Sequence, residues 1–424
     1  MRYTQEIKQF VQKWKNNTEP STQVLYDYKP ICRDLLFHEE ELVLETIDIL
    51  KKNISSWADK HSEIYKTKKH LPFLGKGDLT DKKKWYVDFM KSESMPMKSS
   101  GSTTGEGFEY LRWEPFLYFI EGENHYDLIL DEYGIEQKPH IMNLFKSSFE
   151  DGNKYINETS ESKNFMDHHG TKRTAVVHYA NTRLQKEKED VFGRYLIRYL
   201  GAKKIDVIFA PGPQIKKLCS YIKKENHKGK LCNLLSNSNE KLMEEDAKFL
   251  LENNHVSHIC DHMRCWDGGA SFFTCKDGNY HIMDNLSWCF ENDSKLISTD
   301  YFSLTCPFVK FWNGDRCNIG EKYNRCSCGR LYRYFKFLEN RPFAIKGRSI
   351  NEYKKKLIDA NFTEIKQINC GIDFIEVVSS KELDELKIAI VKEIFKSYKL
   401  KFKVIQNQVA SQRIQMNPHS EAGK

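Results

Sequence analysis

The sequence predicts an α/β protein with a large N-terminal domain, in which buried sheets are flanked by helices, and a small α+β C-terminal domain. Between about residues 100 and 310, short apolar runs such as Ile205–Phe209 alternate with helical stretches such as Lys188–Tyr199, an order typical of a sheet covered by helices. A chain of 424 residues also exceeds the roughly 250–300 residues at which one hydrophobic core stops growing. A break at Arg341-Pro342 separates the two predicted domains, 1–340 and 342–424.

Each predicted element follows from its own pattern. Residues 1–60 repeat apolar side chains at helical spacing, as at Ile7, Phe10 and Trp14, so this region is predicted to be helical. Further strands are expected at Arg173–His178 and Val256–Cys260, and a further helix at Glu240–Glu252. After the break the predicted order is helix Asn351–Ala360, strand Asp373–Val378, helix Lys381–Ser397 and strand Lys401–Ile405.

Composition narrows the class of protein. Hydrophobic residues make up 40% of the chain, with 26 Phe and 21 Tyr, enough to bury real cores. No apolar run approaches the roughly 18–20 residues of a membrane span, and charges interrupt the N-terminus where a signal peptide is apolar, so we expect a soluble cytoplasmic protein. The net charge of +7 is small and its basic runs are mixed with acids, which makes nucleic acid an unlikely partner.

The most informative segment is a run of glycine, serine and threonine near residue 100. Glycines let the backbone approach a ligand closely, while hydroxyl groups add hydrogen-bond donors, so such a loop can wrap a polyphosphate. The segment lacks the Gly-Lys-Ser/Thr ending of a Walker A loop. Taken alone, a flexible linker is an equally good interpretation. The predicted phosphate-binding residues are Ser99, Ser100, Gly101, Ser102, Thr103, Thr104 and Gly105.

This loop resembles the phosphate loop of the acyl-adenylate-forming superfamily. Upstream, Leu71–Leu79 is similar to the "LPxxxKxDL" motif of the phenylacetate–CoA ligase-like branch. The resemblance implies a ligase that uses ATP and Mg²⁺ to turn a small-molecule carboxylic acid into acyl-AMP and pyrophosphate. The acyl group then passes to a thiol or an amine acceptor, with coenzyme A as the default in this branch. It also implies that the C-terminal domain is a mobile lid.

Two further segments follow in the order that the family has. Ser238–Leu242 is similar to the "GGExL" turn beside the adenine, which makes Glu240 a nucleotide contact, although Asn239 replaces a glycine. Met263–Gly269 stands where the family has "YGxTEGG". Asp267 keeps the carboxylate, a hard oxygen ligand suited to Mg²⁺, whereas Trp266 replaces the threonine. Cys265 and Trp266 are the candidates for lining the acid pocket.

Three charged side chains complete the nucleotide site that the resemblance implies. Pro307–Asp315 resembles "PLIRYxxGD", in which the aspartate accepts hydrogen bonds from both ribose hydroxyls, so this role is expected of Asp315. Arg330 belongs to a segment close to the branch's "CxCGR", and Arg341 matches the arginine before the lid. A guanidinium suits phosphate or ribose contact. Pro342 stands where the family often has a hinge aspartate.

Cysteine and histidine spacing predicts a structural zinc subsite within residues 275–328. Cys275 and His281 flank a turn, and Cys326 and Cys328 form a second pair about fifty residues later. Three thiolates and one imidazole suit tetrahedral Zn²⁺ and leave no open position for substrate. The spacing matches zinc-bearing members of the same branch. The alternative is a group of buried thiols that pack as small hydrophobes; a rival trio nearby is Cys260, His262 and Cys265.

The last residue, Lys424, is the predicted catalytic lysine. The chain ends Ser420–Lys424, which resembles the family's final "SEGGK" motif, whose lysine reaches the α-phosphate and the substrate carboxylate. One ammonium there stabilises negative charge that develops on both reacting groups, and closure of a lid excludes water from a hydrolysable intermediate. The alternative is a solvated tail, since termini fray.

A second class of function stays open. Trp266 and Asn239 favour a catalytically altered ligase fold that acts as a nucleotide-binding or partner-binding module. Nucleic-acid binding through the basic stretch Lys396–Lys403 is the least favoured hypothesis, because it rests on one strand. The sequence leaves the identity of the acid, the acceptor and the choice between monomer and homodimer undecided.

Overall fold

The architecture comes from a computed structural model of the 424-residue chain. It describes residues 3–68, 71–79, 81–98, 109–135, 138–144, 154–159, 175–238, 242–265, 268–339, 344–345, 348–349, 357, 362, 365–370, 374–379, 381–395, 399–404 and 415–418.

Helices dominate the first part of the chain, as the spacing of apolar residues predicts. They are α1 (Thr4–Trp14), α2 (Thr22–Tyr28), α3 (Glu40–His61), α4 (Glu63–Thr67) and α5 (Lys82–Trp85), with 3₁₀ turns at Leu35–Phe37, Lys76–Leu79 and Asp88–Glu93. Ile7, Phe10 and Trp14 are all buried on one face of α1. This face contributes to the largest hydrophobic cluster of the protein.

A β-hairpin and a helical segment lead into the main sheet. The hairpin pairs β1 (Ser94–Lys98) with β2 (Glu109–Trp113). Next come α6 (Glu114–Tyr118), a π-helical segment at Phe119–Tyr126 and α7 (Asp127–Glu132).

The main sheet has eight strands, five of which run parallel. The parallel strands are β3 (His140–Asn143), β5 (Val176–Ala180), β6 (Ile205–Pro211), β7 (Cys232–Ser238) and β8 (Val256–Arg264). Antiparallel strands extend both edges, namely β4 (Ile156–Thr159), β9 (Ser271–Thr274) and β10 (Tyr280–Ile282). The strand order is β10-β9-β8-β7-β6-β3-β5-β4. The helices between strands are α8 (Thr182–Glu187), α9 (Glu189–Ala202), α10 (Gly212–Lys224) and α11 (Glu244–Glu252).

Two hydrophobic cores cover the two faces of the main sheet. The inner core joins the sheet to the N-terminal helices and the hairpin, and includes Val207, Phe209 and Cys260. The outer core lies under α9, α10 and α11, and includes Ile208 and Leu235. Side chains alternate between the faces of a strand, which is why Ile208 and Phe209 lie in different cores. The alternation of strands and helices in the sequence therefore predicts this α/β class correctly.

A four-stranded antiparallel sheet follows, which was not predicted from the sequence. Its strands are β11 (Ser287–Asn292), β12 (Lys295–Asp300), β13 (Phe311–Arg325) and β14 (Leu331–Glu339), in that order. A short hairpin, β15 (Ala344–Ile345) with β16 (Arg348–Ser349), comes next.

The C-terminal residues form a sheet and a hydrophobic cluster of their own. The strands are β17 (Ile365–Cys370), β18 (Phe374–Ser379), β19 (Lys399–Val404) and β20 (Gln415–Pro418), arranged β19-β18-β17-β20. Helix α12 (Glu385–Ile394) supplies Val391 to the cluster. The predicted boundary at Arg341-Pro342 and most of the predicted helix Asn351–Ala360 lie outside the described residues, so the division into two domains stays a prediction.

Within the described residues, no helix combines the length and the apolar character that crossing a bilayer requires.

The contact of α9 with α10 provides a test of the outer core. A Cβ on Gly193 would lie 2.7 Å from Cγ of the buried Tyr221 ring, so Gly193→Ala should destabilise the protein by about 1–3 kcal/mol through overpacking. The matched control is Gly201→Ala on the same helix, where the nearest atom is His227 Cε1 at 3.1 Å. Urea unfolding followed by circular dichroism measures both; equal stability of the two variants would contradict the packing.

Candidate active site

The glycine- and hydroxyl-rich segment connects the two strands of the β1–β2 hairpin. Lys98 pairs with Glu109 at its last described rung, and Ser99, Ser100, Gly101, Ser102, Thr103, Thr104 and Gly105 lie outside the described residues. The hairpin stem therefore fixes the two points at which the predicted phosphate loop leaves and re-enters the fold.

The hairpin stem is anchored by a buried ion pair. Arg112 on β2 donates to the carboxylate of Asp300 at the end of β12, and the two side chains are only 4% and 2% exposed. Asp300 also accepts a hydrogen bond from the backbone N–H of Phe302 at 3.0 Å. A buried charge is stable only when paired, so this contact holds the hairpin against the region around β12. Neither residue lies in a sequence motif, so neither was predicted as part of the site.

The same aspartate lies against the tight turn between β8 and β9. In this turn the N–H of Cys265 donates to Ala270 O at 2.7 Å, and the N–H of Gly269 donates to Cys265 O at 2.9 Å. Gly269 has a φ of +74°, and a Cβ there would collide with the Asp300 carboxylate. The turn thus requires glycine for its backbone angle and for its close approach to Asp300. Trp266 and Asp267 belong to this turn in sequence and lie outside the described residues.

The turn also contacts the predicted ribose ligand. The Cys265 sulfur lies 3.9 Å from Oδ2 of Asp315, and Asp315 is 7% exposed. Trp312 donates through Nε1 to the backbone oxygen of Asp315 at 3.1 Å, which holds that part of β13 in place. The structure therefore brings together two predicted site residues that are separated by fifty positions.

The segment Leu71–Leu79 lies beside the same strand. The N–H of Leu74 donates to Lys310 O at 2.9 Å, and the N–H of Trp312 donates to Leu74 O at 2.8 Å. Within the segment, Asp78 closes a turn by accepting from the N–H of Gly75 at 2.8 Å. This motif is thus hydrogen bonded to the strand that carries Asp315. Four sequence-distant segments converge on one region: Leu71–Leu79, the hairpin, the turn at Cys265 and the part of β13 that carries Asp315.

The proposed metal ligands form one cluster. The ligand atoms of Cys275, His281, Cys326 and Cys328 all lie within 4.8 Å of one another. The Cys275 and Cys326 sulfurs are 3.8 Å apart, and the Cys328 sulfur is 3.5 Å from His281 Nε2. His281 Nδ1 is buried and has no hydrogen-bond partner among the described residues. The sequence spacing therefore predicts correctly that these four side chains meet.

Two turns of the same geometry present the cysteines. In the first turn, the N–H of Cys275 donates to Asn279 O and the N–H of Gly278 donates to Cys275 O. In the second, the N–H of Cys326 donates to Arg330 O and the N–H of Gly329 donates to Cys326 O. All four distances are 2.9 Å. The glycines, Gly278 and Gly329, both have positive φ. Ser327 Oγ donates to Asp277 across the turns at 2.8 Å. The paired turns place sulfur atoms face to face, as a tetrahedral metal site requires.

The surroundings of Cys328 favour its thiolate form. Cys328 accepts a hydrogen bond from the Cys275 thiol, which lowers the pKa of Cys328 well below its usual range and raises that of Cys275. Contact with His281 and a backbone N–H of Arg330 also lower the pKa of Cys328. Asn279 donates through Nδ2 to the Cys326 sulfur at 3.2 Å. Thiolates are the form of cysteine that binds metal ions.

The Arg330 side chain packs against the four-residue cluster. Its guanidinium donates to Glu132 in a buried ion pair, with 8% and 5% of the side chains exposed. It lies 4.6 Å from the Phe37 ring centroid, and NH1 is 3.7 Å from the Cys328 sulfur. These contacts tie the second cysteine turn to α7. The predicted nucleotide role of Arg330 stays a prediction.

The remaining predicted site residues, Glu240, Arg341 and Lys424, lie outside the described part of the chain. Cys260, from the rival trio, is fully buried in the inner core and donates to Thr274 O at 3.4 Å.

Solved structures supply the comparison for this arrangement. The fold is similar to that of 2-hydroxyisobutyryl-CoA ligase in the postadenylation state in complex with R3-HIB-AMP, with a TM-score of 0.58 and 12% sequence identity. The match covers 96% of this chain and 95% of the ligase chain. The chain has the fold of an adenylate-forming ligase. The same enzyme with 2-HIB-AMP and CoA matches over 95% and 94% of the two chains, with a TM-score of 0.57 and 13% identity. No family profile and no curated protein matches the sequence.

The Arg112–Asp300 pair provides a test of how the hairpin is anchored. Asp300→Asn removes the buried carboxylate that pairs with the buried Arg112 guanidinium, so the free energy of unfolding should fall by about 3–5 kcal/mol. The control is Glu109→Gln on the same hairpin, which breaks an exposed pair with Lys82 at 2.8 Å and should cost less than about 1 kcal/mol. Denaturant unfolding compares them. A loss below 1 kcal/mol in Asp300→Asn would show that the pair does not anchor the hairpin.

Proposed function

We propose that this protein is an ATP-dependent carboxylate-activating ligase. It converts a small-molecule carboxylic acid and ATP into an acyl-AMP and pyrophosphate, and then transfers the acyl group to a thiol or an amine. The observation that carries the proposal is the convergence of the loop-bearing hairpin, the turn at Cys265, and Asp315. The hairpin pairs with Asp300 through Arg112, Asp300 lies against Gly269 of the turn, and Cys265 contacts Asp315. The fold shared with an acyl-CoA ligase supports it.

Each part of the site has a role in this reaction. Asp315 accepts hydrogen bonds from the two ribose hydroxyls, for which a buried carboxylate has the necessary acceptor oxygens. The loop at 99–105 surrounds the phosphates with backbone N–H and hydroxyl donors. Glu240 and Arg341 contact the nucleotide, and Cys265 and Trp266 border the acid. Lys424 approaches when the C-terminal domain closes, and its ammonium stabilises charge on the α-phosphate and the acid carboxylate.

The proposed reaction requires Mg²⁺, and the residue proposed to hold it is Asp267, two positions after Cys265 in the sequence. Its carboxylate is a hard oxygen ligand of the kind that Mg²⁺ prefers. The ion supplies charge neutralisation on the phosphates. The acceptor is proposed to be coenzyme A or a similar thiol, because the solved structures of similar fold include a CoA complex; amines are the second class.

We also propose that the four-residue cluster of Cys275, His281, Cys326 and Cys328 binds zinc. Three cysteines and one histidine with ligand atoms within 4.8 Å of one another suit tetrahedral Zn²⁺. Four protein ligands leave no coordination position for substrate, so the ion would stabilise the fold. It would join the β9–β10 hairpin to the turn between β13 and β14, two regions that the Ser327–Asp277 and Asn279–Cys326 hydrogen bonds also connect.

Asp315 tests the proposed activity. Asp315→Asn removes the charge but keeps the size of the side chain, and loss of a charged hydrogen bond of about 1.5–3 kcal/mol should raise the KM for ATP by about 10–100-fold. Acid-dependent exchange of labelled pyrophosphate into ATP is the measurement. The control is Asp190→Asn, an aspartate whose side chain is 74% exposed.

An unchanged KM for ATP in Asp315→Asn would remove this residue from the site. If no acid in a broad panel supported exchange while ATP still raised the melting temperature, the protein would instead be a nucleotide-binding module on a ligase fold.

Metal content tests the zinc site. Protein purified without chelators should carry one zinc per chain by inductively coupled plasma mass spectrometry, and Cys275→Ala should lose most of it because three ligands hold zinc more weakly than four. Cys232→Ala serves as the control, because Cys232 is equally buried but lies in the outer core. Zinc-free wild-type protein, or equal zinc in both variants, would show that the cluster is a set of packed thiols.

A further inference from the structure

The end of helix α7 lies against the four-residue cluster. The Tyr133 hydroxyl, just after the helix, donates to Thr274 O at 2.7 Å. Glu132, the last residue of the helix, accepts through Oε1 from the N–H of Lys276 at 3.3 Å. Thr274 and Lys276 are the two sequence neighbours of Cys275. Two consecutive residues at one helix end therefore hold the chain on both sides of the first proposed ligand.

Glu132 also connects to the second cysteine turn. Its other carboxylate oxygen, Oε2, pairs with Nη1 of Arg330, and the side chains of Glu132 and Arg330 are 5% and 8% exposed. The same Nη1 atom lies 3.7 Å from the Cys328 sulfur. One carboxylate thus joins the turn that carries Cys275 to the turn that carries Cys328. The sequence gives no sign of this link, because Glu132 and Arg330 are 198 positions apart.

Aromatic rings hold the Arg330 guanidinium at this place. Its central carbon lies 4.6 Å from the ring centroid of Phe37 and 5.4 Å from that of Phe273. A guanidinium interacts favourably with an aromatic face through its positive charge. Moving the side chain away from Cys328 would also separate it from the buried carboxylate of Glu132, which is costly. The contact between the ion pair and the cluster is therefore a stable feature of the fold.

Such contacts matter because a metal ion binds tightly only when all of its ligands reach it at once. Hydrogen bonds to the ligands and to the backbone beside them orient the ligands, and their loss commonly lowers metal affinity by about 10–100-fold. Here the ligands come from two turns whose first cysteines are 51 positions apart. The separation of the Cys275 and Cys328 sulfurs thus depends on how the two turns are held relative to each other.

We propose that Glu132 is a positioning residue of the zinc site: it holds the two cysteine turns at the separation that a tetrahedral ion needs. The inference rests on the zinc binding proposed above and not on the ligase activity. Without the carboxylate the four ligands remain, but the link between the turns that carry Cys275 and Cys328 is lost. Other hydrogen bonds still connect the turns, so the zinc affinity should fall without vanishing.

Zinc affinity tests the inference, measured on the metal-free full chain by competition with a chelator of known affinity. Glu132→Gln keeps the size of the side chain, but its single carbonyl oxygen cannot accept from both Lys276 N–H and Arg330, so zinc should bind about 10–100-fold more weakly. Tyr133→Phe removes only the hydroxyl that bonds to Thr274 O, and loss of one hydrogen bond should weaken zinc binding by about 3–10-fold.

The matched control is Tyr65→Phe. The Tyr65 hydroxyl also donates to a backbone oxygen at 2.7 Å, that of Pro307, so this variant loses the same kind of bond elsewhere in the fold and should keep the wild-type zinc affinity. Because Glu132→Gln leaves Arg330 without its carboxylate partner, a variant that combines Glu132→Gln with Arg330→Gln is measured beside it. This variant removes both buried charges, so it should fold even where the single variant does not, and it should bind zinc as weakly.

Cobalt separates a positioning role from a general effect on stability. Co²⁺ bound in place of zinc absorbs visible light strongly when thiolates surround it tetrahedrally, so the spectrum reports the ligand geometry. The spectrum of the saturated Glu132→Gln protein should be weaker than that of the wild type, whereas Tyr65→Phe should keep the wild-type spectrum.

The outcomes separate this inference from the proposed function. Wild-type zinc affinity in both Glu132 variants overturns the inference. Weaker zinc binding with an unchanged Co²⁺ spectrum overturns it as well, because Glu132 would then stabilise the cluster without placing its ligands. Wild-type protein that binds no zinc overturns the zinc site and the inference together. Pyrophosphate exchange measures the ligase activity separately, so none of these results is confused with failure of the proposed reaction.

Discussion

The candidate active site depends on the buried ion pair between Arg112 and Asp300. Asp300 joins three parts of the chain: it binds the hairpin through Arg112, closes its own loop through the N–H of Phe302, and occupies the space beside Gly269. Ser94 and Leu111 of the hairpin also hydrogen bond to Thr305 and Cys306, but the ion pair joins the hairpin to the residue that packs against the turn at Cys265. Separating two buried charges is costly, so the pair favours the observed position of the stem of the proposed phosphate loop relative to the strand that carries Asp315.

A second set of constraints holds the other side of the site. The cysteine turns, the Glu132–Arg330 pair and the stacking of Arg330 on Phe37 tie β9, β10 and the start of β14 to the helical region. These contacts are local and directional, in contrast to the large hydrophobic cores that surround them. Metal binding would add a bond between turns that lie fifty residues apart in sequence, and would hold the antiparallel sheet against the end of the main sheet.

The sequence predicts the parts of this structure that depend on local patterns. Strand–helix alternation predicts the α/β class, and the spacing of Cys275, His281, Cys326 and Cys328 predicts that they meet. The family resemblance names Cys265 and Asp315 as separate site residues, and the structure brings the two into contact. The sequence does not reveal single contacts between residues that lie far apart in the chain. Arg112 and Asp300 are separated by 188 positions and lie in no motif, so only tertiary packing brings them together.

The β11–β14 sheet and the π-helical segment were missed for a related reason. Strand β12 is buried along almost its whole length and so lacks the alternation of polar and apolar residues, and the pairing of β13 with β14 is irregular. A π-helical turn differs from an α-helix by backbone hydrogen bonding that composition does not report. His125 carries no sequence signal of its own. Only tertiary packing brings its ring to 5.3 Å from the ring of His262.

The most direct test of the central claim is a crystal structure of the protein with Mg²⁺ and a non-hydrolysable ATP analogue. The account predicts the ribose hydroxyls within hydrogen-bond distance, about 3 Å, of the Asp315 carboxylate, and the triphosphate within the loop that the β1–β2 hairpin carries. A nucleotide bound elsewhere, or bound at Asp315 with its phosphates pointing away from that hairpin, would contradict it.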